Sequence, residues 1–102
     1  SSRWSGAQTF YYPENHEAKN LASLIQDELK KNLENTKREI NTVQTVYLLK
    51  ELTMPTVLVE VGFLSNPEEA RLLADPNYQK KVAACIYRGM LRYVSGEKLG
   101  SN

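Results

Sequence analysis

The chain has 102 residues, of which 41% are hydrophobic and 25% charged, and its formal net charge is +1. This length suits one small domain or part of one, and the composition is typical of a globular protein rather than a disordered tail. A charge so close to zero argues against nucleic acid or an anionic membrane surface as a partner. The sequence has no segment approaching the roughly 20 apolar residues of a membrane span and no recognisable signal peptide.

The first half of the chain predicts a strand, a helix and a second strand. Residues 6–12 are rich in β-forming side chains and end at Pro13, which is typical of a strand. Asn15 is a candidate N-cap for a helix whose apolar residues recur at helical spacing: Ala18, Leu21, Ala22, Ile25, Leu29 and Leu33. The polar residues 34–42 predict a loop, and residues 43–49 predict a short strand.

The second half begins with the most apolar run of the chain, residues 57–64, which predicts a central parallel strand buried on both faces. Asn66-Pro67-Glu68-Glu69 and Asp75-Pro76 each have the form of a helix start. The last helix is expected to bury Val82, Ala83, Ile86, Met90 and Tyr93. Cys85 falls in this apolar pattern and is interpreted as a small core residue rather than a reactive thiol. The order of elements predicts an α/β layered sheet.

Glu60 is the one residue that a core strand does not explain. It interrupts the apolar run at the C-terminal end of the predicted central strand, where open α/β sheets bind ligands. Burying an ionised carboxylate there without a partner costs several kcal/mol. Two interpretations stay open: a general base or acid at a ligand site, or a structural ion pair with one of the arginines Arg3, Arg71, Arg88 and Arg92.

The stretch PTVLVEVGFLSNPEEARLL, residues 55–73, resembles the C-terminal signature of the zinc-dependent N-acetylmuramoyl-L-alanine amidases. The segments RWSGAQTFYY and NYQKKVAACIYRGMLRY resemble the flanking parts of the same family, so that the resemblance covers residues 3–94. Within the family it is closest to the germination-specific amidases that act on spore cortex peptidoglycan. The resemblance implies the C-terminal half of a twisted, mostly parallel α/β sheet with helices on both faces.

By position, Glu60 matches the family's catalytic glutamate, which acts beside a zinc ion that activates water. The resemblance implies that the Zn²⁺ ligands, two histidines and a glutamate, lie upstream of Ser1. The single histidine, His16, falls where the family has no ligand. We therefore expect residues 1–95 to be half of an amidase domain that is inactive alone, followed by a disordered tail at 96–102. Peptidoglycan is the expected substrate, and a missing N-terminal half or a second copy of the chain is the expected protein partner. An extracytoplasmic location is implied by the resemblance alone.

Other candidate residues have simpler explanations beside the functional ones. Trp4 is a candidate for a sugar or peptide groove, whereas core packing accounts for Phe10 and a neighbouring tyrosine. Asn66 is a candidate substrate contact, although helix capping explains it fully. The basic residues Lys30, Lys31, Lys37 and Arg38 are expected to form a solvated face. The alternative function for the whole chain is a non-catalytic wall-binding or assembly module on an amidase-like scaffold.

Overall fold

The computed structural model describes residues 5–99 and shows a mixed α/β fold, as predicted. Three strands and four helices follow one another along this part of the chain. In order they are β1 (Gln8–Tyr11), α1 (His16–Leu33), β2 (Asn41–Thr42), α2 (Tyr47–Glu51), β3 (Val57–Glu60), α3 (Pro67–Leu73) and α4 (Pro76–Val94).

The sheet has the strand order β2-β1-β3, so that β1 is central among the described strands. β1 runs parallel to β2 and antiparallel to β3, with Gln8 opposite Glu60 and Phe10 opposite Leu58. The prediction of a central parallel strand at residues 57–64 was therefore wrong for this part of the chain. A β-branched run indicates a strand, but it does not encode which strand will be its neighbour.

The starts of α1, α3 and α4 were predicted correctly because each one carries its own local signal. The side-chain oxygen of Asn15 accepts a hydrogen bond from the Ala18 backbone N–H at 3.1 Å, and α1 ends at Glu34 in the left-handed conformation. Asp75 caps α4 in the same way, with Pro76 in the first turn. A side-chain cap of this kind contributes about 1 kcal/mol.

Within residues 5–99, no helix combines the length and the apolar character that a membrane span requires.

Residues 43–49 do not form the predicted strand. They lead into α2, which covers five residues and buries only Leu49. Tyr47 and Leu48 are 71% and 66% exposed, so the β-forming side chains have no neighbouring strand to pack against in the described structure. Strand propensity depends on such packing, and a local turn of helix satisfies the backbone hydrogen bonds instead.

The core lies between α1, α4 and one face of the sheet. It is a cluster of Ala7, Ile25, Leu29, Leu33, Val82 and Cys85, against which Val57, Val59 and Val61 pack. Cys85 is fully buried, as predicted. The expected inward face of α4 was only partly right, because Ala83 and Met90 are exposed. Gly89 is the residue of α4 that packs closely against α1, since a Cβ there would lie 2.7 Å from Ile25 Cα. With this face of α4 against α1, Ala83 and Met90 face outward.

A charged cluster joins α1 to the end of α4. Arg92 contacts Asp27 and Glu28 at 2.8 Å each, and it also pairs with Glu97. Asn20 on α1 donates to the Glu97 carbonyl at 2.9 Å and accepts from the Leu99 N–H at 2.8 Å. Residues 97–99 of the expected tail are thus bound to α1, while the division of the chain at residue 95 stays a prediction.

Candidate functional site

Glu60 lies at the end of β3 with an exposed side chain, not the buried one that the sequence predicted. Val57, Val59 and Val61 point to the core, so strand alternation places Glu60 on the opposite face of the sheet. Gln8 shares that face because it lies directly opposite Glu60 in the antiparallel register. Because the Glu60 carboxylate is exposed to solvent, it avoids the desolvation cost that a buried, ionised carboxylate would carry.

The proposed structural ion pairs for Glu60 do not form within residues 5–99. Arg71 pairs with Glu68, and Arg88 pairs with Glu28. The third candidate, Arg92, pairs with Asp27, Glu28 and Glu97. Arg3, the remaining candidate, lies outside the described residues. The Glu60 carboxylate is therefore available to a ligand or to solvent in the described part of the structure.

A second carboxylate, Glu69 on α3, fixes the backbone around this strand end. It is 7% exposed, and its two oxygens accept hydrogen bonds from the Gly6 N–H at 2.7 Å and the Phe63 N–H at 2.9 Å. These bonds tie the start of β1 and the end of the 57–63 segment to one helix. Gly62 permits the approach, because a Cβ there would lie 3.3 Å from Glu69 Oε1.

The long-range role of Glu69 was missed by sequence reasoning. Its place at the third helical position indicated only a capping box with Asn66. The Asn66 side chain does cap α3, accepting hydrogen bonds from the Glu68 and Glu69 N–H groups at 3.0 and 3.3 Å. The capping-box pattern gave no indication that Glu69 would also accept a hydrogen bond from Gly6, which lies 63 residues away in the chain. A substrate contact by Asn66 stays a prediction.

Arg38 was expected on a solvated basic face but is half-buried beside the Glu60 strand pair. Its Nε donates to the Ser5 carbonyl at 2.6 Å and its Nη1 to Gln8 Oε1 at 3.1 Å. Its guanidinium carbon lies 5.1 Å from the centre of the Phe63 ring, within the range of a cation–π contact. Arg38 thus contacts Gln8, the residue that lies opposite Glu60 in the sheet.

The remaining predicted site residues are not assembled around Glu60. Trp4 lies outside the described residues, so its role as a groove residue stays a prediction. His16 is the exposed first residue of α1. It follows the C-terminal end of β1, whereas Glu60 lies opposite Gln8 at the other end of that strand. Within residues 5–99, no group of three His, Cys, Asp or Glu side chains is placed to hold a metal ion.

Comparison with known proteins identifies the family. Residues 1–92 match the sequence model of a family described as N-acetylmuramoyl-L-alanine amidase. The germination-specific N-acetylmuramoyl-L-alanine amidase of Bacillus subtilis is 55% identical over 93 residues, which are 91% of this chain and 39% of that protein.

Solved structures agree with this match. The CwlD amidase of Clostridioides difficile, solved in complex with the GerS lipoprotein, has a TM-score of 0.91 and 43% identity, covering 95% of this chain and 50% of that one. The catalytic domain of the amidase CwlV from Bacillus (Paenibacillus) polymyxa has a TM-score of 0.80 and 32% identity, covering 95% and 52%. The chain spans about half or less of the length of these relatives. It belongs to the N-acetylmuramoyl-L-alanine amidase family.

Proposed function

We propose that this chain is the C-terminal half of an enzyme that hydrolyses the amide bond between N-acetylmuramic acid and L-alanine in peptidoglycan. The observation that carries the proposal is the exposed Glu60 carboxylate at the end of β3, inside the segment that the family model matches. By "full-length protein" we mean this chain together with the rest of the domain, which the family resemblance implies to lie upstream. The enzymatic activity is proposed for that protein.

Glu60 is proposed to be the general base and then the general acid. As a carboxylate it accepts a proton from the water that attacks the amide carbonyl carbon. The C–N bond then breaks, and Glu60 returns the proton to the departing L-alanine nitrogen. A positioned group of this kind accelerates a reaction by roughly 10²–10⁴-fold. Its exposed position, with no ion pair within residues 5–99, leaves it free for this exchange.

Zn²⁺ is the cofactor that we propose for the full-length protein. A catalytic zinc usually takes three protein ligands, and residues 5–99 contain no such cluster, so the described chain does not fit a zinc site by itself. The ligands are therefore proposed to lie upstream of this chain. We therefore propose that the isolated chain is inactive.

The exposed apolar surface supports a protein partner that supplies the missing half. Tyr47, Met54, Leu64 and Val94 are 62–78% exposed. β3 pairs only with β1 among the described strands, which leaves its other edge unpaired in that part of the chain. Surfaces and edges of this kind bind other chains or aggregate. A second copy of this chain is the alternative occupant.

The names of the relatives suggest where such a protein works. They include a germination-specific amidase and an amidase solved with a lipoprotein, and we propose an extracytoplasmic location at the cell wall or spore cortex on that basis. A lipoprotein partner is proposed for the full-length protein on the same similarity. These proposals rest on resemblance and not on any feature of residues 5–99.

Digestion of purified peptidoglycan by the full-length protein tests the proposed activity. Amidase cleavage creates new L-alanine amino termini without new reducing sugar ends, so both are measured in the same digest. A non-catalytic wall-binding module, the alternative function, would sediment with peptidoglycan and release neither group. New reducing ends without new amino termini would contradict both functions.

A further inference from the structure

Three contacts hold the Arg38 side chain in place. Its Nε and Nη1 donate to the Ser5 carbonyl and to Gln8, and its guanidinium carbon lies 5.1 Å from the centre of the Phe63 ring. Gln8 is fixed in turn, because its Nε2 donates to the Glu39 carbonyl at 2.7 Å. A guanidinium that is already ordered loses little side-chain entropy when it binds a ligand.

The backbone of Arg38 is fixed as well. Its N–H donates to Thr36 Oγ1 at 3.2 Å, and its carbonyl accepts from Gln26 Nε2 at 2.8 Å. Gln26 is 2% exposed and also bonds to β1, so the arginine is anchored to both the helix layer and the sheet.

The charge of Arg38 is not neutralised by the described chain. Of the four arginines within residues 5–99, Arg71, Arg88 and Arg92 each pair with a carboxylate, and Arg38 has no ion pair in that range. A guanidinium has five N–H donors, and the bonds to Ser5 and Gln8 leave three of them for another acceptor. These three are both N–H groups of Nη2 and the second N–H of Nη1, and adjacent guanidinium N–H groups of this kind bind the two oxygens of a carboxylate.

The position of Arg38 relates it directly to Glu60. Gln8, which accepts from Arg38, is the residue opposite Glu60 across the β1–β3 pair. Opposed residues of antiparallel strands have Cβ atoms about 5 Å apart, so one side chain separates the guanidinium from the Glu60 carboxylate. Arg38 also lines a surface cleft of about 520 Å³ formed by Ser5 and residues 34–38, which gives a ligand room to approach.

We propose that Arg38 binds a carboxylate on the peptide side of the amide bond that Glu60 helps to cleave. This inference rests on the proposed function. The lactyl carboxyl group of muramic acid forms the amide bond with L-alanine and is therefore not a free carboxylate. The carboxylates that an arginine near that bond can bind thus belong to the peptide. Arg38 would thereby select substrates that carry a free carboxylate close to L-alanine.

The test compares two N-acetylmuramoyl peptides in the full-length protein, one with free carboxylates and one with every carboxylate converted to a primary amide. We expect KM to be about tenfold or more lower for the free acid, as a charge-assisted bidentate contact provides. Arg38→Gln should remove this preference, with little change in KM for the amide. Arg38→Lys should restore part of it. Arg71→Gln, the same change at an exposed arginine, should behave as the parent does.

Equal KM values of the parent for the two peptides would overturn the proposal without any variant. An equal loss for both peptides in Arg38→Gln would also overturn it, because that result means a structural role. If the parent cleaves neither peptide, the proposed function fails. Calorimetric binding of the same two peptides then still decides whether Arg38 recognises a carboxylate.

Discussion

Replacing Glu69 by glutamine should destabilise the protein far more than its small chemical change suggests. Each carboxylate oxygen accepts one backbone N–H, a buried one from Gly6 at 2.7 Å and a partly buried one from Phe63 at 2.9 Å. Glutamine offers one oxygen and one NH₂ group, so one of these N–H donors would face another donor. Losing a charge-assisted hydrogen bond costs about 1.5–3 kcal/mol, and an unsatisfied buried donor adds to that cost. We expect the free energy of unfolding to fall by about 2–4 kcal/mol.

The matched control is Glu68→Gln, one position earlier on α3. Glu68 is exposed and pairs only with Arg71 among the described residues, so its replacement should not measurably change stability. Urea unfolding of the full-length protein, followed by circular dichroism, compares the two variants. Amide hydrogen exchange at Gly6 and Phe63 then localises the effect. Equal unfolding midpoints for the two variants would refute the argument that Glu69 anchors this part of the fold.

Three further predictions concern the α1–α4 interface. Gly89→Ala should lower stability by about 1–3 kcal/mol despite the better helix propensity of alanine, because the new Cβ would lie 2.7 Å from Ile25 Cα; an unchanged melting temperature would contradict this. Burial raises the pKa of the Cys85 thiol, so a thiol reagent should label it only after unfolding, and rapid labelling of the native protein would contradict this. Burial alone would raise the pKa of Asp27, but hydrogen bonds from its lysine and arginine partners outweigh it, and the pKa is lowered below 3.8. A carboxyl with a lowered folded pKa stabilises the protein above its ordinary pKa and loses that effect as pH falls through the folded value. In Asp27→Asn, the free energy of unfolding should therefore fall less steeply as the pH is lowered below neutral. An unchanged pH dependence would contradict the lowered pKa of Asp27.

Local signals predicted most of the helices. Asn15, Asn66 and Asp75 each cap a helix where the sequence indicated one, because capping depends on residues within one turn. The apolar spacing of α1 predicted most of its buried face, since Leu21 is partly buried and the other five residues of the predicted stripe are buried. Leu24, which the spacing left out, is also fully buried. These features need no information about the rest of the chain.

Strand pairing and the surroundings of Glu60 could not be predicted in this way. The run at Val57–Glu60 indicates a strand equally well whether its neighbour is parallel or antiparallel. The sequence singled out Glu60 but predicted it to be buried, because its exposure depends on which face of the sheet the helices cover. Its catalytic role stays a prediction. Glu69 and Arg38 act through partners 63 and 30 or more residues away, and no local pattern encodes such contacts.

Proton transfer by Glu60 during amide hydrolysis is tested by comparing the parent protein with a variant that lacks this carboxylate. Full-length parent and Glu60→Gln proteins, at matched zinc content, digest the same peptidoglycan while new L-alanine amino termini are counted. Glu51→Gln, a change at an exposed carboxylate on α2, serves as the control. Glu60→Gln is expected to lower the rate by roughly 10²–10⁴-fold while the control keeps the parent rate. Undiminished release by Glu60→Gln would contradict the proposed proton transfer and would make Glu60 an exposed residue without a role in the chemistry.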